Sequence, residues 1–209
     1  MKNKRVLITC GPTWIPIDPV RVLSNRSTAQ LGQILARDLN QQGARVTVLL
    51  GPAVQEIPAK AVRIIRFCFF DELFQLLEKE LRKNYDIVIH AAAVSDYQLK
   101  KPKKNKLSSR LKRLKLELIP APKLIERIKK INPKIFLIGF KLEPRLSKET
   151  ACQKAGPLFE KAGCDLVVAN SVDHRKYKGW ILNRKRQILA FTDSRENLSK
   201  ALIKILTDR

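Results

Sequence analysis

Residues 86–97 read DIVIHAAAVSDY. Ile87, Val88 and Ile89 are apolar at consecutive positions, so a strand built from them is buried on both faces. Burial on both faces belongs to a parallel sheet with helices on either side, whereas a half-exposed antiparallel strand alternates. The run then ends in three alanines, a serine and an aspartate, residues small enough to let another group approach the backbone. Two further stretches are written alike: residues 45–50 (RVTVLL), stopped by Gly51-Pro52, and residues 165–169 (DLVVA). Residues 5–9 (RVLIT) form a shorter run that breaks at Cys10-Gly11-Pro12, glycine and proline being the strongest local breakers.

Segments of helical period lie between these runs. Leu31, Ile34, Leu35 and Leu39 recur at helical spacing before a stop at Gly43, and Ser27 and Gln30 have the spacing of a capping box. Helices are also expected over 71–83, 123–131, 148–162 and 194–206, with weaker strands over 62–65, 114–118 and 135–138. Residues 180–182 and 187–191 flank NRKR and read as a hairpin. Strands alternating with helices require crossover connections. The expected class is α/β: a doubly wound, Rossmann-like, mostly parallel sheet with a basic flap or arm and a C-terminal hairpin plus helix. No linker or repeat divides the chain, so one domain is expected over 1–209. The loop over 11–26 holds three prolines and is expected to stay irregular.

Composition narrows the function classes. No apolar run approaches the ~18 residues that cross a bilayer, and MKNKRVLIT enters a strand without a signal-peptide core; a cytoplasmic protein without a membrane partner is the expectation. Cysteines 10, 68, 152 and 164 form no CxxC pair, which fits free thiols. The unusual feature is a net charge of +23, from 42 Lys and Arg against 19 Asp and Glu. Such a surplus attracts polyanions without saying which. Nine of the sixteen residues over 100–115 are Lys or Arg and none is acidic.

Ligands on such sheets bind beyond the carboxyl ends of the strands, and three segments emerge there. The first is the loop after the first strand, with Arg21, Asn25, Arg26 and Ser27 ahead of a helix whose N-terminus suits a phosphate; Ser27 can equally be a plain cap. The loop contains neither GxGxxG nor GxxxxGK[ST], the dinucleotide and Walker patterns. The second is AAAVSDY, where a flat ring could approach the alanines and Asp96 could bind a ribose hydroxyl, or where small residues merely allow tight packing. The third is the basic stretch, a solvated loop or a flap over a polyphosphate. With only His90 and His174 and no GxSxG, a hydrolase triad has no support.

Together these segments resemble the phosphopantothenoylcysteine synthetase (phosphopantothenate–cysteine ligase) family. Its opening pattern, VLIT-GGT-x-PIDPVR-x-ISN-x-SSGKMG, is similar to VLITCGPTWIPIDPVRVLSNRSTAQLG at 6–32, and its AAAVSDY recurs unchanged at 91–97. Its TPDIL segment resembles APKLI at 121–125, its GFAAET resembles GFKLEP at 139–144, and its D-x-IVAN resembles DLVVAN at 165–170. The matches keep the family's order and span nearly the whole chain.

The resemblance implies a two-step ligation in coenzyme A biosynthesis. The carboxylate of 4'-phosphopantothenate is activated by CTP, or by ATP, to an acyl-nucleotide, and the amine of cysteine then displaces the nucleotide. It assigns the chemistry to Asn25, Lys106 and Arg21. The nucleotide falls to Ser27, His90, Ala91, Ala92, Asp96, Lys106, Pro122, Lys123, Leu124, Ile125, Phe140 and Lys161, and substrate contacts to Arg21, Asn25 and Ala93. Mg²⁺ accompanies the triphosphate, with no resident metal ligand set. A homodimer is implied, as are a stand-alone synthetase domain with a separate decarboxylase partner and no specific nucleic-acid partner.

Three departures stand out. SSGKMG has become STAQLG, KIKK has become KLSS over 106–109, and GFAAET has become GFKLEP. The lysines over 100–104 are expected to replace those lost from the phosphate side. Two other classes fit the same residues: a degenerate nucleotide-binding protein that keeps the pocket without turnover, and a basic nucleic-acid-binding protein. Retention of Arg21, Asn25, Asp96 and Lys106 favours the ligase, and no base-reading motif accompanies the charge.

Overall fold

The computed structural model describes residues 1–53, 61–173 and 176–209, which leaves His174 outside the described residues. Along the chain run β1 (Arg5–Pro12), β2 (Trp14–Pro16), β3 (Val22–Ser24), α1 (Gln30–Gln41), β4 (Arg45–Leu50), β5 (Arg63–Arg66), α2 (Phe70–Leu81), β6 (Ile87–Ala93), β7 (Tyr97–Leu99) and β8 (Leu118–Pro120). They are followed by α3 (Leu124–Ile131), β9 (Phe136–Leu142), α4 (Lys148–Ala162), β10 (Leu166–Asp173), β11 (Lys176–Asn183), β12 (Ile188–Thr192) and α5 (Arg195–Thr207).

Eight strands form one sheet in the order β12-β11-β10-β9-β6-β1-β4-β5. Six of them, from β10 to β5, are parallel, and β11 and β12 add antiparallel to β10 at one edge. The doubly wound expectation and the C-terminal hairpin with its helix are therefore observed. Side chains alternate between two cores. Val6, Ile8, Val48, Ile89 and Val168 pack beneath Leu35, Leu39, Leu198 and Leu202 of α1 and α5. Leu7, Leu49, Val88, Leu137 and Val167 face Leu73, Leu77, Leu124 and Ile128 of α2 and α3. The continuous apolar runs in the sequence are thus strands with a core on each side. Cys10 and Cys164 are free thiols within these cores, and burial pushes both up to about 12.

The chain reverses winding direction between β1 and β6, since β1 connects outward to β4 on one side and β6 to β9 on the other. Diverging connections leave a crevice at this point, beyond the strands' carboxyl ends.

Three local expectations fail. The loop over 11–26 is not wholly irregular, because β2 and β3 pair as a hairpin, Trp14 opposite Ser24 and Pro16 opposite Val22. Ser27 and Gln30 form no capping box. The helix starts at Gln30 after Ala29, which takes a left-handed φ of 59°, and no side chain caps it. Ser27 sits too far upstream, its Oγ reaching only the Ala29 N–H at 3.4 Å. The strand expected over 114–118 is β8 instead, paired with β7 over three positions from Leu99 opposite Leu118 to Tyr97 opposite Pro120. One more bond joins the Lys100 N–H to the Glu117 carbonyl. Pro102 then offers no N–H to continue a ladder, so Leu114 and Leu116 stay exposed without a partner strand.

Candidate active site

Strand β1 carries the floor of the crevice. Its last residues, Cys10, Gly11 and Pro12, pair with Ala91, Ala92 and Ala93 of β6, so the three alanines are strand rather than loop. The neighbouring approach is equally close. Gly11 has a φ of +89°, and a Cβ there would lie 2.9 Å from the Gly51 Cα at the end of β4. On the α1 face, a Cβ on Gly32 would lie 2.3 Å from the Cys10 Cβ. Glycine at 32 therefore lets α1 sit directly on β1, with its uncapped N-terminus at the crevice. The N-cap residue offers no side-chain bond, the Gln30 N–H makes only a long contact with Thr28 Oγ1 at 3.4 Å, and no acidic residue occupies the first turn, an arrangement that suits an anion.

The β2–β3 hairpin rises from the same edge. Trp14 fixes its base by donating its N–H to the Cys68 carbonyl at 2.8 Å and by an edge contact of its ring with Phe69. Thr13 Oγ1 accepts from the Ser95 N–H at 2.9 Å, tying the hairpin to the segment after β6. Asn25, just past β3, donates its side-chain amide to the carbonyls of Ala93 and Val94 at 3.2 and 3.3 Å. Asn25 and the alanine stretch, 68 residues apart in sequence, are therefore in contact.

Asp18 organises the hairpin's turn, and its importance was not read from the sequence. Its carboxylate is buried, with Oδ1 accepting the N–H groups of Val20 and Arg21 and Oδ2 accepting from Arg21 Nη1 at 2.6 Å. Oδ2 also accepts the N–H of Leu107 at 3.0 Å. These donors, with Leu107 contributing most, hold the carboxyl down at about 2. The available signal was the Asp-Pro step at 18–19, since aspartate in such turns accepts N–H groups two and three residues on.

His90 is buried at the end of β6, with its Nδ1 2.8 Å from Thr9 Oγ1. Burial lowers it from 6.5 to about 4, so the ring is neutral at physiological pH and brings no charge to an anion. Asp96 lies on the far side of the crevice, where its backbone carbonyl accepts the Ala121 N–H at 2.9 Å. Its side chain forms an exposed pair with Lys123 at 2.5 Å. Asp96 and the start of α3, with Pro122, Lys123, Leu124 and Ile125, are thereby joined. Phe140, half-buried on β9, follows Gly139, which pairs with His90.

Of the residues singled out in the sequence, Arg21, Asn25, Ser27, His90, Ala91, Ala92, Ala93, Asp96, the 122–125 segment and Phe140 lie on elements that meet at this edge. Lys106 reaches it through its neighbour Leu107. Lys161 does not. It stands in the last turn of α4, beside the start of β10, at the opposite edge of the sheet. Roughly 20 Å of helix, at ~1.5 Å per residue, separates it from Lys148. Instead, Lys141 and Lys154 converge on Glu143 at 3.1 and 3.8 Å, just beyond β9.

The fold defines an α/β domain of the doubly wound kind, with a crevice at its topological switch point. Comparison with known proteins narrows the class: the family described as DNA/pantothenate metabolism flavoprotein C-terminal domain matches residues 1–205. The chain belongs to that family. A coenzyme A biosynthesis bifunctional protein CoaBC from Thermococcus kodakarensis is 39% identical over 176 residues, covering 82% of this chain and 42% of that protein. Its counterpart from Borreliella burgdorferi is 34% identical over 219 residues, covering 99% and 53%. The chain thus spans about half the length of the curated relatives it matches. Among solved structures, a DNA/pantothenate metabolism flavoprotein from Streptococcus pneumoniae superposes with a TM-score of 0.86 at 26% identity, covering 98% of this chain and 99% of that one. A mutant of Cab2 in complex with phosphopantothenate-cysteine shares the fold, with a TM-score of 0.79 at 17% identity over 97% of this chain and 86% of its own.

Proposed function

We propose that this domain joins 4'-phosphopantothenate to cysteine through an acyl-nucleotide, as a step of coenzyme A biosynthesis in the cytoplasm. The observation that carries the reading is the hydrogen bonding of Asn25 to the Ala93 and Val94 carbonyls, which unites the two most distinctive motifs at one crevice. Family membership over residues 1–205 supports it independently.

In the first step a carboxylate oxygen of phosphopantothenate attacks the α-phosphorus of the nucleotide, and pyrophosphate leaves. Charge develops on the phosphate oxygens, where a preorganised cation is most effective; Lys106 is assigned that role. CTP is the nucleotide preferred here over ATP. Ala91 and Ala92 leave room for the base, Asp96 takes the ribose, and the α1 N-terminus beyond Ser27 faces phosphate. Among the described residues no group of three His, Cys, Asp or Glu could hold a metal alone. The donor set fits Mg²⁺ bound chiefly by the triphosphate's own oxygens.

In the second step the cysteine amine attacks the acyl carbon, the nucleoside monophosphate leaves, and the amine's proton passes to solvent. The Asn25 amide orients the acyl group, and Arg21 and Ala93 line the substrate side. A homodimer fits the apolar residues left exposed on and beside the β7–β8 arm, Tyr97, Leu114, Leu118 and Ile119. Where the chain acts apart from a decarboxylase domain, a separate decarboxylase consumes the product.

The deciding experiment incubates the protein with phosphopantothenate, Mg²⁺ and CTP or ATP, with and without cysteine. Pyrophosphate and acyl-nucleotide without cysteine, and amide product with it, are expected. Absence of both with every nucleoside triphosphate refutes the ligase.

A further inference from the structure

We propose that Asp18 is a positioning residue whose buried carboxylate latches the basic segment 100–113 to the hairpin turn carrying Arg21, and so fixes where Lys106 stands. The inference rests on the ligase reading for its catalytic consequence, while the latch itself is a matter of geometry.

The two carboxylate oxygens have different partners. Oδ1 serves the local turn, accepting from Val20 N at 2.9 Å and Arg21 N at 2.8 Å. Oδ2 reaches outward, accepting from Leu107 N at 3.0 Å and from Arg21 Nη1 at 2.6 Å. A residue needed only for the turn would use the first oxygen alone. Arg21 closes the loop of contacts, because the same Nη1 also donates to the Leu107 carbonyl at 3.2 Å. Leu107 is therefore held at both its N–H and its C=O by one ion pair from the hairpin.

A second staple lies four residues earlier, where the Lys103 N–H donates to the Ile17 carbonyl at 3.0 Å. Lys104, Asn105 and Lys106 form an exposed span between the two staples. A long lysine side chain gains little as a fixed cation if its backbone wanders, since preorganisation removes the reorganisation that solvent would otherwise require. A carboxylate held to charged and backbone donors in a buried setting makes a stronger tether than neutral hydrogen bonds do. It also stays ionised at any pH where the enzyme would work.

Asp18→Asn tests this selectively. The amide keeps a carbonyl for the turn, where asparagine is as acceptable as aspartate, but sets an NH₂ against the two donors that faced Oδ2. In the ligand-free protein, hydrogen exchange at the Leu107 amide should accelerate about tenfold or more, with the Val20 and Arg21 amides near parent values, while the melting temperature falls with loss of the buried ion pair. Leu107→Pro, which deletes the same bond from the exposed side, should loosen the segment likewise as read by proteolysis over 100–113. Unchanged exchange at Leu107 in Asp18→Asn, or unchanged cleavage in Leu107→Pro, overturns the latch.

The catalytic part is read by single-turnover acyl-nucleotide formation in Asp18→Asn, Lys106→Gln and the double variant. If Asp18 acts through Lys106, its substitution slows the step about tenfold at similar nucleotide affinity, and adds almost nothing once Lys106 is gone. Equal losses in both backgrounds, or a Lys106→Gln variant at the parent rate, overturn positioning through Lys106. Failure of the parent protein to form any acyl-nucleotide sinks the ligase reading instead, and leaves the latch to be judged by exchange alone.

Discussion

The buried imidazole of His90 makes the protein's acid sensitivity calculable. Burial holds it at about 4 in the folded protein, against an ordinary 6.5. Between these values the unfolded chain binds a proton that the folded chain refuses, so stability falls as pH drops through this window and is regained as pH rises. The gap, at ~1.36 kcal/mol per pH unit, caps the loss at roughly 3 kcal/mol, complete only below pH 4. From pH 7 to 4.5 the loss comes to about 2–3 kcal/mol. That is a large share of the ~5–15 kcal/mol that holds a typical domain together.

The perturbation is His90→Gln, which stays neutral throughout and can still bond to Thr9. Thermal unfolding followed from pH 7 to 4.5 should show the parent losing roughly 5–10 °C more than the variant, taking ~2–4 °C per kcal/mol for a chain of this size. Carboxylates held below their ordinary values, among them Asp18, Glu80 and Asp86, also lose stabilisation in acid, but they do so in both proteins and at lower pH. A constant offset between the curves only measures lost packing. Parallel curves across the whole range would refute the claim that the fold keeps His90 neutral.

Three other outcomes are expected. Lys106→Gln should slow acyl-nucleotide formation by about 10²–10³, the usual loss for one preorganised electrostatic donor; Asn25→Asp should still form acyl-nucleotide yet yield little amide, as mass spectrometry of quenched reactions would show. CTP with Mg²⁺ should protect residues 100–113 from proteolysis, and unchanged cleavage at saturating nucleotide would favour a solvated loop. Ala29→Gly should stabilise the protein by roughly 0.5–1 kcal/mol in urea unfolding, since it relieves a left-handed alanine at some cost in unfolded-state entropy.

The central sheet was legible because burial on both faces writes itself as uninterrupted apolar runs, as in residues 45–50 and 86–90. Turning points were less so. The β2–β3 hairpin has three-residue strands, and Pro16 ends one of them, too little for a period to register. Asp18 drew no reading because its decisive partner, Leu107, lies 89 positions away. Lys161 is a complementary case. The resemblance matches it to a nucleotide-binding lysine ahead of residues 165–169, but α4 descends from the crevice, so its last turn comes to rest beside the start of β10, at the other end of the sheet.

The departures from the family pattern gain meaning once their places are known. Ala29 stands where the family pattern has glycine, and it is here that the backbone takes a positive φ of 59°, a conformation that costs alanine ~1–2 kcal/mol. Strain of this kind at a helix start beside the crevice is what a functional constraint on that N-terminus would produce. The neighbouring lysine of the pattern has become Gln30, so the first turn of α1 offers N–H groups without a side-chain cation. Several cations near the crevice are engaged: Lys123 with Asp96, Lys141 and Lys154 with Glu143, Arg21 with Asp18. Each must surrender a carboxylate before meeting a phosphate. Lys106 has no hydrogen-bond or ion-pair partner among the described residues, while its neighbour Leu107 is held at both backbone groups. A cation free of competing carboxylates on a fixed backbone is the arrangement that electrostatic catalysis requires, and Lys106 meets it beside the turn that carries Arg21.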